Sequence, residues 1–266
     1  MLFRSVLVTY VLSQDDRLPR KALTLFRDSL QAHGLTRSNY PGRSYQVIPP
    51  FSLLWIAMLH DFARWRDEAA LVKELLPAAR SILEAWNGFR NGEGLIERPR
   101  GWNFVDWVPA WESGIPPHGR DGVSAVLNFQ YLLALGWGAE LEEAFGEPEL
   151  AALARRRRTE LLALVRGTFW DAAQGCFADT RDFDAYSEHA NCLAILTGLL
   201  TADESAAIAA TLRGRADLAR ATIYFSHYLF ETYARLDMQD LFFERMEEWF
   251  ILRGQGLYTK IGRAHV

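Results

Sequence analysis

Gly101-Trp102-Asn103-Phe104-Val105-Asp106-Trp107-Val108-Pro109-Ala110-Trp111-Glu112 places three tryptophans and two carboxylates between two long helical stretches. A plain connection needs neither aromatics nor acids. Aromatic faces beside carboxylates suit the apolar patches and hydroxyls of a sugar ring, and suit a pocket wall in general. The stretch therefore reads as one rim of a carbohydrate-binding cleft. It sits within a connection from Arg90 to Asp121, far longer than the usual loop of about 4–6 residues, which marks a functional or lid-like loop.

Outward from that loop the pattern is helix after helix. Residues 2–12 read as an incomplete helix and 18–32 as an amphipathic one, with Leu18, Ala22, Leu25, Phe26 and Leu30 on one side. An irregular stretch over 33–50 holds Gly34, Pro41, Gly42, Pro49 and Pro50. Phe51–Trp65 is strongly apolar and reads as buried. Asp67 opens a helix to about Phe89, with Ala69, Val72, Leu75, Leu76, Ala79, Ile82, Leu83 and Trp86 at helical spacing. Further helices are predicted over 124–145, 148–169, 187–200, 203–213, 222–235 and 237–253, the one at 203 capped by Asp203. Residues 171–186 form a second irregular stretch that fits a small hairpin. Helices in pairs, joined alternately by short and long connections, predict an all-α toroid of helical hairpins with the long loops gathered at one end. A generic bundle or an irregular α-solenoid is the alternative. Neither β-α alternation nor a Gly-rich phosphate loop is present.

Half of the 266 residues are hydrophobic and 23% are charged, the composition of a packed domain rather than a disordered chain. The formal net charge of −4 argues against nucleic acid as a partner, and the Arg155–Arg158 run reads as a solvated helix flank. Cys176 and Cys192 read as reduced thiols, with no zinc spacing. The apolar Met1–Leu12 is too short to span a bilayer and lacks a cleavage site, so no membrane partner and no signal peptide are read, and the location is read as cytoplasmic or left open.

Several stretches carry a family likeness. They are Arg37-Ser-Asn-Tyr-Pro-Gly-Arg-Ser-Tyr-Gln-Val-Ile-Pro-Pro-Phe-Ser-Leu-Leu-Trp55, Gly94-Leu95, Trp102-Asn-Phe-Val-Asp-Trp107, Ser124-Ala-Val-Leu-Asn-Phe-Gln-Tyr131, Ser187-Glu-His-Ala-Asn191, and Thr222-Ile-Tyr-Phe-Ser-His-Tyr228 followed by Glu231. Their order and separation resemble the catalytic domain of bacterial α-L-rhamnosidases, the family 78 glycoside hydrolases, from about Leu18 to Thr259. The resemblance implies a six-hairpin (α/α)6 barrel and inverting hydrolysis of terminal α-L-rhamnosides, with no metal or other cofactor. The expected partner is a rhamnose-containing oligosaccharide or glycoside. Inversion needs an acid and a base carboxyl about 6.5–9.5 Å apart. The resemblance puts the family's acid-rich segment before residue 1 and its general base on a loop just after Thr259. Met1–Asp16 offers only Asp15 and Asp16, and Ile261–Val266 reads as a translated adapter. The expectation is a toroid incomplete at both ends: residues 1–260 a partial catalytic domain, 261–266 a non-native tail, and both principal catalytic carboxylates outside the chain.

Within the chain, Asp106 is the supporting acid expected in the cleft, against a reading as a loop cap or salt bridge. Trp102 and Trp107 are its aromatic walls, while Trp111 fits either wall or loop core. Tyr40 and Arg43 bracket Pro41-Gly42, a turn that can project both side chains into an opening. Glu188, His189 and Asn191 open a helix, lining the cleft or capping. Tyr224, His227, Tyr228 and Glu231 share a face if helical, which looks into the barrel only from an inner helix. The competing functions are hydrolysis by the parent domain, a carbohydrate-binding or polysaccharide lyase-like toroid without hydrolase activity, and a structural domain in which the tryptophans merely pack a loop.

Overall fold

The computed structural model describes residues 2–256. The Thr259 region and the Ile261–Val266 tail lie outside the described residues. The helices are α1 (Leu2–Leu12), α2 (Arg17–Asp28), α3 (Pro49–Trp65), α4 (Ala69–Asn87), α5 (Ala125–Phe145), α6 (Pro148–Phe169), α7 (Glu188–Leu196), α8 (Ala202–Gly214), α9 (Ser226–Arg235) and α10 (Gln239–Gly254). A short antiparallel ribbon, β1 (Trp170–Asp171) with β2 (Cys176–Phe177), follows α6, where the sequence fits a hairpin.

The odd-numbered helices form an inner row in which α1 packs on α3, α3 on α5, α5 on α7 and α7 on α9. Even-numbered helices back it: α2 and α4 on α3, α4 and α6 on α5, α8 on α7, α10 on α9. Sequence explains the sorting. Helix α5 is apolar around its circumference, with Val126, Phe129, Leu132, Leu133 and Leu135 all buried, and such a helix belongs inside. Helix α6 buries one stripe, including Leu161, Val165 and Phe169. Its basic run splits: Arg155 and Arg157 pair with Glu143 and Glu84 outside, whereas Arg158 turns inward to the carbonyls of Leu132 (3.1 Å) and Thr197 (2.6 Å). The fold is an all-α, toroid-like array of five helix pairs among the described residues, consistent with a six-hairpin fold, and its ring does not close there. Both ends of the array carry exposed apolar side chains, Val8, Val11 and Leu12 on α1 and Phe243, Phe250 and Ile251 on α10.

One device recurs at three outer-to-inner connections. A tight turn after the outer helix contains a glycine of positive φ (Gly34, 82°; Gly94, 88°; Gly175, 65°). Two residues later a buried or half-buried backbone N–H is taken up by a side chain near the start of the inner helix. Thr36 donates to Ser52 Oγ (3.0 Å), Ile96 to Asn128 Oδ1 (2.8 Å) and Phe177 to Asn191 Oδ1 (2.9 Å). Each asparagine amide also returns a hydrogen bond to the carbonyl of the same residue, Ile96 (3.2 Å) or Phe177 (3.0 Å). A side chain thus supplies the pairing that a missing strand would otherwise give, as buried peptide groups require. The clamp fixes where each inner helix begins, and with it where the long loops rest.

Four boundaries differ from the sequence reading. Helix α2 stops at Asp28 rather than at 32, with Ser29 and Leu30 already in a turn. Helix α8 is capped by Thr201 in a capping box with Glu204, not by Asp203: Thr201 Oγ1 accepts from the Glu204 N–H (3.1 Å) and the Glu204 carboxylate from the Thr201 N–H (2.8 Å). Helix α9 starts at Ser226 rather than Thr222, because Thr222–Phe225 form a turn held to other elements. Helix α7 stops at Leu196, where Gly198 turns the chain at φ 68°.

Candidate functional site

Loops meet at the N-terminal ends of the inner helices. The aromatic stretch folds back on itself: the Trp102 indole N–H donates to Ser113 O (2.8 Å) and the Val105 N–H to Gly114 O (2.9 Å). Gly114 has φ 70°, and a Cβ there would lie 2.5 Å from the Phe104 ring, so the fold-back needs glycine. Phe104 is the hub, with ring centroids 5.3 Å from Trp102, 4.7 Å from Trp107, 5.3 Å from Tyr224 and 6.1 Å from Phe51. Trp107 stands 56% exposed at the edge of this cluster, while Trp111 is buried. Burial pushes the Tyr224 phenol well above its usual range, with Tyr228 and Asp106 adding to the shift.

Beneath the aromatics lies a buried polar centre. Asp106 Oδ1 accepts from the Trp107 N–H (2.8 Å) and the Thr222 hydroxyl (2.5 Å). Its Oδ2 accepts from the Thr222 N–H (2.7 Å) and His189 Nε2 (2.8 Å). Because that oxygen accepts, His189 carries hydrogen on Nε2. Its Nδ1 is buried with no partner among the described residues. The imidazole lies between Trp111 (4.4 Å) and Phe225 (4.3 Å). Neighbouring Glu188 is also buried. It accepts from the Ala221 N–H (2.6 Å) and from Arg245 of α10 (3.1 and 3.2 Å), and Arg245 donates in turn to Ala221 O (2.7 Å). Two consecutive α7 residues therefore grip one segment, Ala219–Thr222, which also pairs with Tyr186–Glu188 through its backbone.

The structure thus brings Trp102, Asp106, Trp107, Glu188 and His189 to one place. Val47 O accepts from the Trp102 N–H (3.3 Å), so the loop bearing Tyr40 and Arg43 abuts the same rim. Arg43 is exposed there, and Tyr40 is half-buried with the Arg37 guanidinium 5.6 Å from its ring centre. His227 lies on the first turn of α9, 3.8 Å from Glu231, an inner helix as the face-sharing argument required. Tyr224 precedes that helix and joins the aromatic cluster instead. Tyr228 and Glu231 border a half-open cavity of about 680 Å³ lined by all the inner helices, from Leu7 and Val11 of α1 to Arg235 of α9, toward the C-terminal ends of α3, α7 and α9.

Sequence reasoning missed four members. Thr222 falls in the predicted helix 222–235, yet its non-helical backbone is what frees its N–H and hydroxyl for Asp106. Phe104 was hidden between the more conspicuous tryptophans. Arg245 lies in an acid-rich outer helix with nothing local to distinguish it. Asp179 is fully buried, and burial lifts its carboxyl to about 7 even though Ser187 Oγ donates to Oδ1 (2.7 Å). Its Oδ2 has no partner among the described residues. Among those residues no three His, Cys, Asp or Glu side chains form a metal cluster, and no helix is long and apolar enough to cross a membrane.

The chain superimposes on the GH78 family rhamnosidase of Bacillus sp. GL1 with a TM-score of 0.81 at 21% identity, covering 92% of this chain and 26% of that one. It matches a rhamnosidase from Klebsiella oxytoca, solved with rhamnose bound, at TM-score 0.81 and 21% identity, over 94% of this chain and 48% of that one. What they share is the six-hairpin fold. An α-L-rhamnosidase from Dictyoglumus thermophilum matches less tightly, at TM-score 0.61 and 15% identity, over 82% of this chain and 24% of that one. The chain spans under half the length of each of these structures. No protein-family model and no curated protein matches it.

Proposed function

We propose that this chain forms the sugar-binding part of a glycoside hydrolase acting by inversion on terminal α-L-rhamnosides. One observation carries the reading: a rigid aromatic rim, Trp102, Phe104 and exposed Trp107, stands over the N-terminal end of α7, on a fold shared with rhamnosidases. Flat aromatic faces take the apolar side of a deoxy sugar such as rhamnose, while Tyr40 and Arg43 offer hydroxyl-binding groups on the adjoining loop. His227 belongs to the flank of the same cleft, whereas Glu188 acts from beneath it, turned toward Arg245 and Ala221.

Asp106 serves as a positioning residue. Four donors occupy its two oxygens, leaving no lone pair directed at a substrate. The general acid and base of an inverting pair come, on this proposal, from polypeptide outside residues 1–260, with Ile261–Val266 a non-native tail. The chain by itself then binds sugar without turning it over, and the Asp106 saturation favours that reading specifically. L-Rhamnose should quench tryptophan fluorescence of the 266-residue chain, Trp107→Ala should abolish the quenching, and an aryl α-L-rhamnoside should not be hydrolysed. Absence of quenching, or turnover lost on Asp106→Asn, overturns the proposal.

A further inference from the structure

We infer that Arg245, on the outer helix α10, is a positioning residue for the buried Asp106–His189 pair at the rim. The inference rests on the proposed cleft for its functional meaning and on geometry for its content. Arg245 and Glu188 are each only 8% exposed at the side chain, so their contact is buried and not a surface ion pair. The guanidinium spans two oxygens of Glu188 and the carbonyl of Ala221, a planar fork that one ammonium group cannot reproduce. Glu188 in turn takes the Ala221 N–H. The Ala221 N–H is therefore held by Glu188 of the inner helix α7, and its carbonyl by Arg245 of the outer helix.

Thr222 is the next residue, and it supplies two of the four donors to Asp106. A third donor is His189 Nε2, on the residue after Glu188. Consecutive helical residues point about 100° apart, which is how α7 faces Arg245 with one side chain and the rim with the next. With Arg245 removed, Ala221 loses an anchor and Glu188 is left as a buried carboxylate with a single donor. Thr222 then has no fixed register against Asp106, and the hydrogen bond that orients His189 weakens. Arg245 reaches the rim only through these groups.

The test reads the imidazole directly. In the intact chain labelled with ¹⁵N-histidine, the His189 Nε2–H should give a hydrogen-bonded proton resonance, assigned by its disappearance in His189→Gln. Arg245→Met should shift or remove that resonance, and Arg245→Lys should restore it only in part. Arg245→Met combined with Glu188→Gln leaves no unpaired buried charge, so it carries the test if the single variant fails to fold. It should lose the resonance too, because the Ala221 carbonyl contact is gone. Thr201→Ala, which removes the distant α8 capping box, should lower the melting temperature and leave the resonance in place. An unchanged His189 resonance in folded Arg245→Met, or in the double variant, overturns the inference. Wild-type quenching by L-rhamnose is scored separately: its absence sinks the proposed function, while the resonance still decides the role of Arg245.

Discussion

Asp106 and Asp179 are both fully buried beside α7, and the structure treats them in opposite ways. Asp106 receives four donors from three residues. Asp179 receives one, from Ser187, and its second oxygen has no partner among the described residues. A buried carboxylate is tolerated as a charge only when hydrogen bonds replace its lost hydration; otherwise it keeps its proton. The first acid organises the rim by accepting bonds. The second sits between the N-termini of α5 and α7. Its carbonyl accepts from the Ala125 N–H (2.9 Å), and its carboxyl touches the Ser187 cap.

Removing the acceptors from the saturated acid should produce the largest effect. Asp106→Ala strands the Trp107 and Thr222 N–H groups and His189 Nε2 in a buried space. Leaving buried donors unpaired at about 1–3 kcal/mol each predicts a loss of roughly 3–5 kcal/mol, allowing for relaxation of the loop. Chemical denaturation at fixed pH measures it. A loss under about 1 kcal/mol would mean the four bonds do not form.

The second acid predicts a pH dependence. Its carboxyl is raised from 3.8 to about 7 by burial, so between those values the folded chain holds a proton that the unfolded chain has released. The stability associated with that proton is complete below about pH 4. It declines as pH rises towards 7 and is gone above it. At about 1.4 kcal/mol per pKa unit the swing is on the order of 4 kcal/mol. Asp179→Asn should remove the slope, becoming more stable relative to wild type at pH 8 than at pH 4. Parallel denaturation curves at the two pH values check this, since other titrating groups cancel in the difference. A constant difference contradicts the buried-proton picture.

The contrast also shows what local sequence can and cannot reveal. Helix periodicity exposed the helices, because burying one stripe or all sides leaves a repeating mark in every turn. The clustering of Trp102, Phe104 and Trp107 was legible because costly aromatics crowded into one long loop must pack on one another or on a partner. The Gly-and-Asn clamps at Gly94/Asn128 and Gly175/Asn191 leave no visible repeat in the sequence, although both asparagines lie in stretches that carry the family likeness. The spacing between partners varies with loop length, from 94 to 128 in one case and 175 to 191 in the other. Asp179 and Arg245 were illegible for the same reason. Their environments are made by residues distant in sequence, and neither local composition nor periodicity records that.

A smaller change sharpens the account of Asp106. Thr222→Val keeps the backbone N–H and the branched shape but deletes the hydroxyl donated to Oδ1. A hydrogen bond to a carboxylate contributes about 1.5–3 kcal/mol, so Thr222→Val should cost within that range and less than Asp106→Ala. Thr222→Ser, which retains the hydroxyl, should cost less than the valine variant. Equal losses for serine and valine would show that packing of the methyl, not the hydroxyl, holds the segment.

The smallest effect belongs to Ser187, which touches both sides of the comparison. Its hydroxyl donates to Asp179 and accepts from the Ala190 N–H (3.3 Å) as the N-cap of α7. Loss of an N-cap costs about 1 kcal/mol, so near pH 4, where Asp179 is protonated in the folded chain with or without Ser187, Ser187→Ala should cost about that much. At pH 8 the cost should be greater, because the hydroxyl is the one donor that favours the ionised Asp179 and its removal lifts that carboxyl further. The two variants at this pair then have opposite signatures: Asp179→Asn gains on wild type as pH rises, and Ser187→Ala falls further behind. In the combined Ser187→Ala and Asp179→Asn variant the pH dependence should vanish while the capping loss remains. If that double variant keeps the slope, the titrating group lies elsewhere and the contrast between the two acids does not hold.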